Sequence, residues 1–281
     1  MSAVAERISA PKRHTDVLGL VKRHVLTVYS LLMFAYLLLP IAIVILFSFN
    51  NPSGRFNYTW QGFTLKYWQN WDGVPGLRDA MVLSIEIALV ASLVATALGT
   101  LIALALVRYG FRGRATTNLV IFLPLSTPEI VLGASLLALF LNMTFVTLGF
   151  WTILIAHIMF CISFAVVTVK ARLVGFDRHV EEAAMDLGAN EWTTFRKVTL
   201  PLIAPAILAA LLLCFAISID DFVVTYFNAG GRITLPLFVW GSARVGAPPQ
   251  VNVIGTAIFV VALTAMLANV LIQTYRSKGA E

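Results

Sequence analysis

Residues Glu181–Pro201 read EEAAMDLGANEWTTFRKVTLP, a polar stretch between two long apolar runs. In the loop that contains most of it, at about 170–197, acidic side chains fill the middle, whereas basic side chains lie at both ends, at Lys170 and Arg172 and again at Arg196 and Lys197. Long basic side chains reach lipid headgroups while their stems stay in apolar surroundings. The pattern therefore predicts a loop that is held at a membrane surface and projects its acidic middle into water.

Composition points to the same class of protein. Of 281 residues, 59% are hydrophobic and 12% are charged, against about 25% charged in an average soluble domain. About 20 apolar residues are needed to cross the hydrocarbon layer as a helix, and runs of this length are too continuous for the alternating strands of a barrel. The sequence predicts an all-α integral membrane protein with six transmembrane helices, at about 25–49, 81–107, 116–141, 147–169, 198–219 and 251–275.

The same runs divide the chain. We predict a tail, a peripheral first helix, an extracytoplasmic loop, a transmembrane core that contains a cytoplasmic loop at about 170–197, and a second tail, with bounds 1–24, 25–49, 50–80, 81–275 and 276–281. Fifteen of the 20 Lys and Arg residues fall on one side of this topology and five on the other. Because basic residues favour the cytoplasmic side, both termini are predicted to be cytoplasmic.

The polar stretch itself predicts two short helices joined by a turn. Asp177 and Asn190 are residue types that cap helix N-termini, and Glu181 and Glu182 suit a first turn, where the helix dipole favours anions. Gly188 can adopt the left-handed conformation that ends a helix. The expected product is a helix–turn–helix with one modest apolar face.

Several classes of function are disfavoured. No G-x-x-x-x-G-K-[ST] phosphate loop and no H-E-x-x-H sequence occurs, so ATP hydrolysis would need another subunit and no catalytic or metal-binding residue is predicted. No basic face is interleaved with exposed aromatic residues, which argues against nucleic acid as a partner. Cys161 and Cys214 fall in different predicted spans and are interpreted as small packing residues.

Charged residues inside a span are costly and indicate function. Four acids qualify, Glu86, Glu129, Asp220 and Asp221, and no Lys or Arg lies in those spans to neutralise them. A cation should therefore come from outside the chain or from a partner. Glu86 is expected to be a buried, hydrogen-bonded or protonated carboxyl group.

Other residues of the spans predict close packing, a bend and a cation contact. Phe222 and Tyr226, four residues apart, could hold an ammonium group by cation–π contact, although packing is the plainer role for Phe222. Pro124 and Pro128 predict a kink in the third span. Small residues at spacings of three and four predict close helix contact in the second span, at Ala88, Ala91, Ala95, Gly99 and Ala103.

Residues 182–201 resemble the EAA loop of the permeases of ABC importers. Six residues carry the resemblance, Glu182, Ala183, Ala184, Gly188, Leu200 and Pro201, and the departure is Val198 where Ile is more common. The resemblance implies a type I importer permease with the MetI-like fold, in which this loop docks on a separate ATPase that uses ATP and Mg²⁺. We call Glu181–Pro201 the EAA segment.

A wider resemblance, from about residue 28 to 275, is to permeases of spermidine/putrescine ABC importers. Its segments include WQGFTLKYW (Trp60–Trp68), PEIVLGASLLALF (Pro128–Phe140) and SIDDFVVTYF (Ser218–Phe227). It implies a multi-pass subunit of a prokaryotic cell membrane with four kinds of partner: a homologous permease, two ATPase subunits, an extracytoplasmic polyamine-binding protein and membrane lipid. It also implies a substrate path formed by Glu129, Ser218, Asp220, Asp221 and Tyr226, with Trp60 and Tyr67 on its outer side.

Two alternatives remain open from the residues. The same architecture could import another cationic or polar solute, since the EAA segment does not depend on the cargo. A proton-coupled secondary carrier could also use intramembrane acids, but it would not need an EAA segment.

Overall fold

The computed structural model describes residues 17–54 and 56–278, with side chains described for 24–54, 56–264, 266 and 267. Within these residues the regular structure is helical, apart from an isolated bridge between Asn50 and Phe63. The elements in order are α1 Val17–Phe47, α2 Lys66–Gln69, α3 Leu77–Arg108, α4 Arg114–Ser126, α5 Glu129–Asn142, α6 Phe150–Val174, α7 His179–Asp186, α8 Glu191–Thr194, a π-helical segment Phe195–Thr199, α9 Leu200–Asp220, α10 Val223–Asn228, α11 Leu235–Val245 and α12 Pro249–Lys278.

The chain forms two compact units. The first contains α1, α2 and α12, and the second runs from Asp72 to Pro248 and contains α3 to α11. The predicted division, with a core at 81–275 and α1 alone at its periphery, stays a prediction. The structure groups α12 with α1, because these two helices pack on each other.

Asn50 organises the loop of the first unit. Its side-chain Nδ2 donates to Asn57 Oδ1 and to the Thr59 carbonyl oxygen, both at 2.7 Å, and its Oδ1 accepts the Gln61 N–H at 2.7 Å. Phe49 stacks on Trp68, with 5.4 Å between the ring centroids. The loop that follows α1 is therefore held by a buried amide and by ring contacts.

The second unit is built on α3, α6 and α9, which pack on one another. The small residues predicted to allow close contact are all buried in α3. Gly99 shows how close the contact is, because a Cβ added there would lie 2.5 Å from the Cβ of Ala165 in α6. In a membrane such packing replaces the hydrophobic drive that brings helices together in water.

Cys161 and Cys214 lie in the same core, fully buried and free. Each Sγ faces the other residue's carbonyl oxygen, at 3.6 Å from Cys161 and 3.4 Å from Cys214. This agrees with their predicted role as small packing residues.

The predicted third span, 116–141, is not one helix. α4 ends at Ser126, α5 begins at Glu129, and their axes differ by 110°. Pro128 has no backbone N–H and disfavours a helical residue before it, and Thr127 is indeed extended, with ψ at 131°. The proline expected to kink the span therefore breaks it.

Four helical stretches of the described residues are long and apolar enough to cross a membrane, or five if α4 and α5 together make one span: His24–Phe47, Leu77–Arg108, Phe150–Val174 and Glu191–Asp220, with the bent pair as the fifth. The sixth predicted span, 251–275, falls in α12. Its apolar described part is Pro249–Thr264, and most of the remaining side chains of that prediction lie outside the described residues.

Candidate functional site

A pocket opens in the second unit where two interruptions between helices lie close together, one between α4 and α5 and the other between α9 and α10. Its volume is about 420 Å³. Three acids are among its lining residues, and no Lys, Arg or His is among those described there. The lining residues are Pro124, Leu125, Thr127, Glu129, Leu132, Phe160, Phe164, Ile217, Asp220, Asp221, Phe222, Val223 and Val224.

Glu129 and Asp220 keep their carboxylates available to the pocket. Glu129 is exposed in the first turn of α5, where the helix dipole favours an anion. Asp220 is the exposed last residue of α9. Within the described part of the chain neither side chain has a hydrogen bond or an ion pair. Their oxygens can therefore accept hydrogen bonds from a cationic ligand.

Asp221 is different, although it is the next residue. Its side chain is only 7% exposed. Its Oδ2 accepts the Thr225 backbone N–H at 2.7 Å and the Thr225 hydroxyl at 2.8 Å, and it lies 3.3 Å from His157 Nε2. This carboxylate is already satisfied by groups of its own chain.

Ser218 and Tyr226 are not among the residues that line the pocket. Ser218 is buried, with its Oγ 2.7 Å from Nδ1 of His157. Tyr226 is 60% exposed, and its ring centroid is 5.7 Å from that of Phe222, which does line the pocket. The predicted pairing of Phe222 with Tyr226 is present, but it lies beside the pocket.

Trp60 and Tyr67 belong to the first unit. Trp60 is 45% exposed, and Lys66 Nζ lies 5.9 Å from the centroid of the Tyr67 ring. Their predicted place on the outer side of a substrate path stays a prediction.

The expectation that Glu86 is buried and hydrogen-bonded is wrong. Its side chain is exposed and has no hydrogen bond or ion pair within the described residues. It lines a second pocket of about 430 Å³ together with Asp79 and Arg232.

Sequence reasoning missed His157. Its side chain is 1% exposed, and both ring nitrogens have partners, Ser218 at Nδ1 and Thr225 Oγ1 at Nε2, the latter at 2.9 Å. No motif marks a single His inside an apolar helix. The available signal was the general cost of an ionisable residue within a span, which applies to His as it does to the acids.

The EAA segment folds largely as predicted. Gly188 has a φ of +88° and ends α7, with its N–H bonded to the Met185 carbonyl oxygen at 2.9 Å. The Asn190 side chain accepts the Thr193 N–H at 2.8 Å and caps α8. Asp177 accepts the His179 N–H at 3.0 Å just before α7. Helix continues without interruption from Glu191 through the π-helical segment to Asp220.

The signature residues of the EAA segment face outward. Glu182 and Ala183 are exposed, Ala184 is partly buried, and Leu187 is 90% exposed. Leu200 and Pro201 are exposed at the first turn of α9. A groove of about 460 Å³ lies alongside, lined by Arg108, Tyr109, Glu181, Met185, Glu191, Trp192, Thr194 and Phe195. The exposed surface beside the segment is apolar and acidic.

Glu181, next to the signature residues, connects α7 to the end of α3 and to the π-helical segment. Its carboxylate forms an ion pair with Arg108 at the end of α3 and accepts a hydrogen bond from the Thr199 hydroxyl. Arg178 also donates to the Val107 carbonyl oxygen at 3.2 Å. The two neighbouring acids therefore differ, because Glu181 points toward the end of α3 and Glu182 points away from it.

An exposed ion pair lies at the start of α7. The hydrogen bond between the Asp177 carboxylate and His179 Nδ1, 2.6 Å long, raises the pKa of His179 and lowers the pKa of Asp177. Both side chains are largely in water, so screening limits what the pair contributes to stability.

Relatives of known role match nearly the whole chain. The family model described as "Binding-protein-dependent transport system inner membrane component" matches residues 95–276. The chain is 42% identical over 247 residues to the spermidine/putrescine transport system permease protein PotC of Escherichia coli (strain K12), covering 88% of this chain and 92% of that protein. It is 38% identical over 238 residues to the putrescine transport system permease protein PotI of the same strain, covering 82% and 84%.

Solved structures share the fold at much lower identity. A bacterial ABC transporter involved in the import of the acidic polysaccharide alginate matches with a TM-score of 0.62 and 18% identity, covering 95% of this chain and 99% of that chain. The MetNI methionine ABC transporter matches with a TM-score of 0.54 and 16% identity, covering 72% and 94%. These matches confirm the predicted ABC importer permease fold. The chain belongs to the family of inner membrane components of binding-protein-dependent transport systems.

Proposed function

We propose that this chain is a transmembrane permease subunit of an ATP-driven ABC importer and forms half of the translocation path for the polyamines spermidine and putrescine. The observation that carries the proposal is the acid-lined pocket, in which Asp220 and Glu129 have no partner in the described chain. The relatives named above as polyamine permeases support the same cargo.

The chemistry of the cargo suits such a pocket. A polyamine carries several ammonium groups, each of which must leave water to cross. Carboxylates replace part of that hydration with charge-assisted hydrogen bonds. Release requires that binding be weak enough to reverse, and two partly wet acids meet this need better than a closed cage. Asp221 also lines the pocket, but its carboxylate already accepts hydrogen bonds from Thr225, so it contributes only its charge.

The remaining parts of the machine would be other chains. We infer a homologous second permease, two ATPase subunits that use ATP and Mg²⁺, and an extracytoplasmic polyamine-binding protein, with no cofactor bound by this chain. The exposed Glu182, Ala183 and Gly188, with Ala184, Leu200 and Pro201, would dock on an ATPase. The subunit would lie in the prokaryotic cell membrane, in contact with lipid, with both termini cytoplasmic, as the distribution of Lys and Arg favours.

Uptake tests the cargo directly. Cells that lack their own polyamine uptake would express this chain with its partner subunits, and entry of labelled spermidine and putrescine would be measured. Asp220→Asn is nearly isosteric but neutral, so we expect polyamine uptake to fall at least several-fold. Asp72→Asn is the matched control, because Asp72 is exposed and lies outside the pocket. Wild-type rates in Asp220→Asn would place the cation path elsewhere.

The alternatives give other outcomes in the same cells. An importer of another cationic or polar solute would leave spermidine and putrescine outside while a different labelled amine enters. A proton-coupled carrier would keep working after the ATPase partner is inactivated and would stop on addition of a protonophore. The proposed importer stops when the ATPase is inactivated.

A further inference from the structure

His157 joins three helices of the second unit through one buried ring. Nδ1 meets Ser218 in α9 at 2.7 Å, and Nε2 meets Thr225 in α10 at 2.9 Å. Nε2 also lies 3.3 Å from Asp221, in the break between α9 and α10. Neither His157 nor Ser218 lines the pocket, yet both stand directly behind the acids that do.

The direction of the hydrogen bonds follows from counting protons. A hydroxyl group has one proton to donate, and Thr225 gives its own to Asp221 Oδ2, which also accepts the Thr225 backbone N–H. Thr225 Oγ1 can therefore only accept from His157, so Nε2 carries a proton. The donor chain runs from His157 to Thr225 and ends on the Asp221 carboxylate.

We infer that His157 is a positioning residue: through Thr225 it holds Asp221 as the internal cap of α10, and it thereby leaves Asp220 and Glu129 as the acids that meet the cargo. The inference rests on the proposed function only for the identity of the ligand that these two acids meet. The two adjacent aspartates then have separate roles: Asp221 stabilises the wall of the pocket, and Asp220 contacts the ligand.

The break that His157 fixes is part of the pocket wall. α9 ends at Asp220 and α10 begins at Val223, and the Asp221 carboxylate accepts the Val224 and Thr225 N–H groups at the new helix start, at 3.4 and 2.7 Å. α10 packs tightly on α5, since a Cβ on Gly133 would lie 2.8 Å from the Phe227 ring. Because α5 begins at Glu129, the donor chain from α6 sets both walls of the pocket.

A double-mutant cycle on uptake by the assembled complex tests the assignment. His157→Phe keeps the ring but cannot donate, so we expect the maximal uptake rate to fall at least several-fold, with partial recovery in His157→Gln, whose amide can donate to Thr225. If His157 acts through Asp221, the double variant His157→Phe with Asp221→Asn is within about twofold of the worse single variant. His157→Phe with Asp220→Asn should show the product of both losses. Equal additivity in the two pairs would overturn the assignment.

A spectroscopic measurement needs neither a variant's activity nor a polyamine. In the reconstituted complex labelled with ¹⁵N-histidine, the signal of His157 is identified by its loss in His157→Gln. We expect a proton on Nε2. A ring with its single proton on Nδ1 would overturn the inference even if polyamine uptake is observed. A proton on Nε2 in a complex that imports another solute would support it and remove only the identity of the cargo.

Discussion

Gly188 and Gly99 each restrict which residues can replace them, for opposite physical reasons. Gly188 has a left-handed backbone and open space around it, with no atom within 4 Å of an added Cβ. Gly99 has an ordinary helical backbone but no space, because Ala165 of α6 occupies the position beside it. A substitution at Gly188 therefore strains only the backbone, whereas one at Gly99 separates two helices.

Two substitutions at Gly188, to Val and to Asn, distinguish backbone strain from the effect of side-chain size. Gly188→Val places a β-branched residue in the left-handed region, which costs about 1–2 kcal/mol, and we expect transport and stimulated ATPase activity to fall while the chain still inserts. Gly188→Asn is the matched control, since Asn visits this region readily. The measurement is ATPase activity of the purified complex with loaded binding protein. Equal losses in both variants would point to side-chain contact with the partner instead.

The sequence shows which residue types carry the chemistry, but it does not show how two adjacent acidic residues differ in their contacts. It indicated Asp220 and Asp221 as one intramembrane pair, and it indicated Glu182 through the EAA signature. It could not tell that Asp221 and Glu181 are satisfied internally while Asp220 and Glu182 are not. Those differences come from His157, Thr225 and Arg108, whose positions depend on tertiary packing.

Two of the helical elements differ from their predicted form, and both differences begin at polar or proline positions. The third span breaks at Pro128 to give α4 and α5. The fifth extends backward through the π-helical segment to Glu191, so the second helix of the EAA segment and the membrane helix are one element. Apolar run length alone predicts spans but neither the break nor the extension, because backbone hydrogen bonds and not hydropathy decide where a helix stops.

The two acids at the start of α7 give an element-scale prediction. Glu181→Gln removes the charge that meets Arg108, and we expect about 2 kcal/mol less stabilisation of α7 against the end of α3. Hydrogen exchange in residues 179–186 should quicken in the permease subunits purified without the ATPase. Glu182→Lys, on the exposed side, should leave that exchange unchanged but abolish stimulated ATPase activity. The same exchange pattern in both variants would contradict the assignment of opposite faces.

For the whole molecule, the arrangement of Lys and Arg predicts which ends face the cytoplasm. Single cysteines at Ser53 and Thr147 should react with an impermeant thiol reagent added outside intact cells, and one at Gly110 only after the cells are opened. All three positions are exposed. Cys161 and Cys214 are buried and give little background. External labelling at Gly110 together with protection at Ser53 and Thr147 would invert the topology.

The unbroken helix from Glu191 to Asp220 has a mechanical consequence. Its 30 residues make a rod about 45 Å long, with the π-helical segment near one end and the pocket carboxylate at the other. π-helical turns often coincide with functional sites in helices. If the 21 residues of α9 tilt as a lever arm of about 30 Å, a tilt of about 10° at the π-helical fulcrum moves Asp220 by about 5 Å. A small rotation at the end of the helix that would face an ATPase therefore becomes a displacement of several ångströms at the pocket.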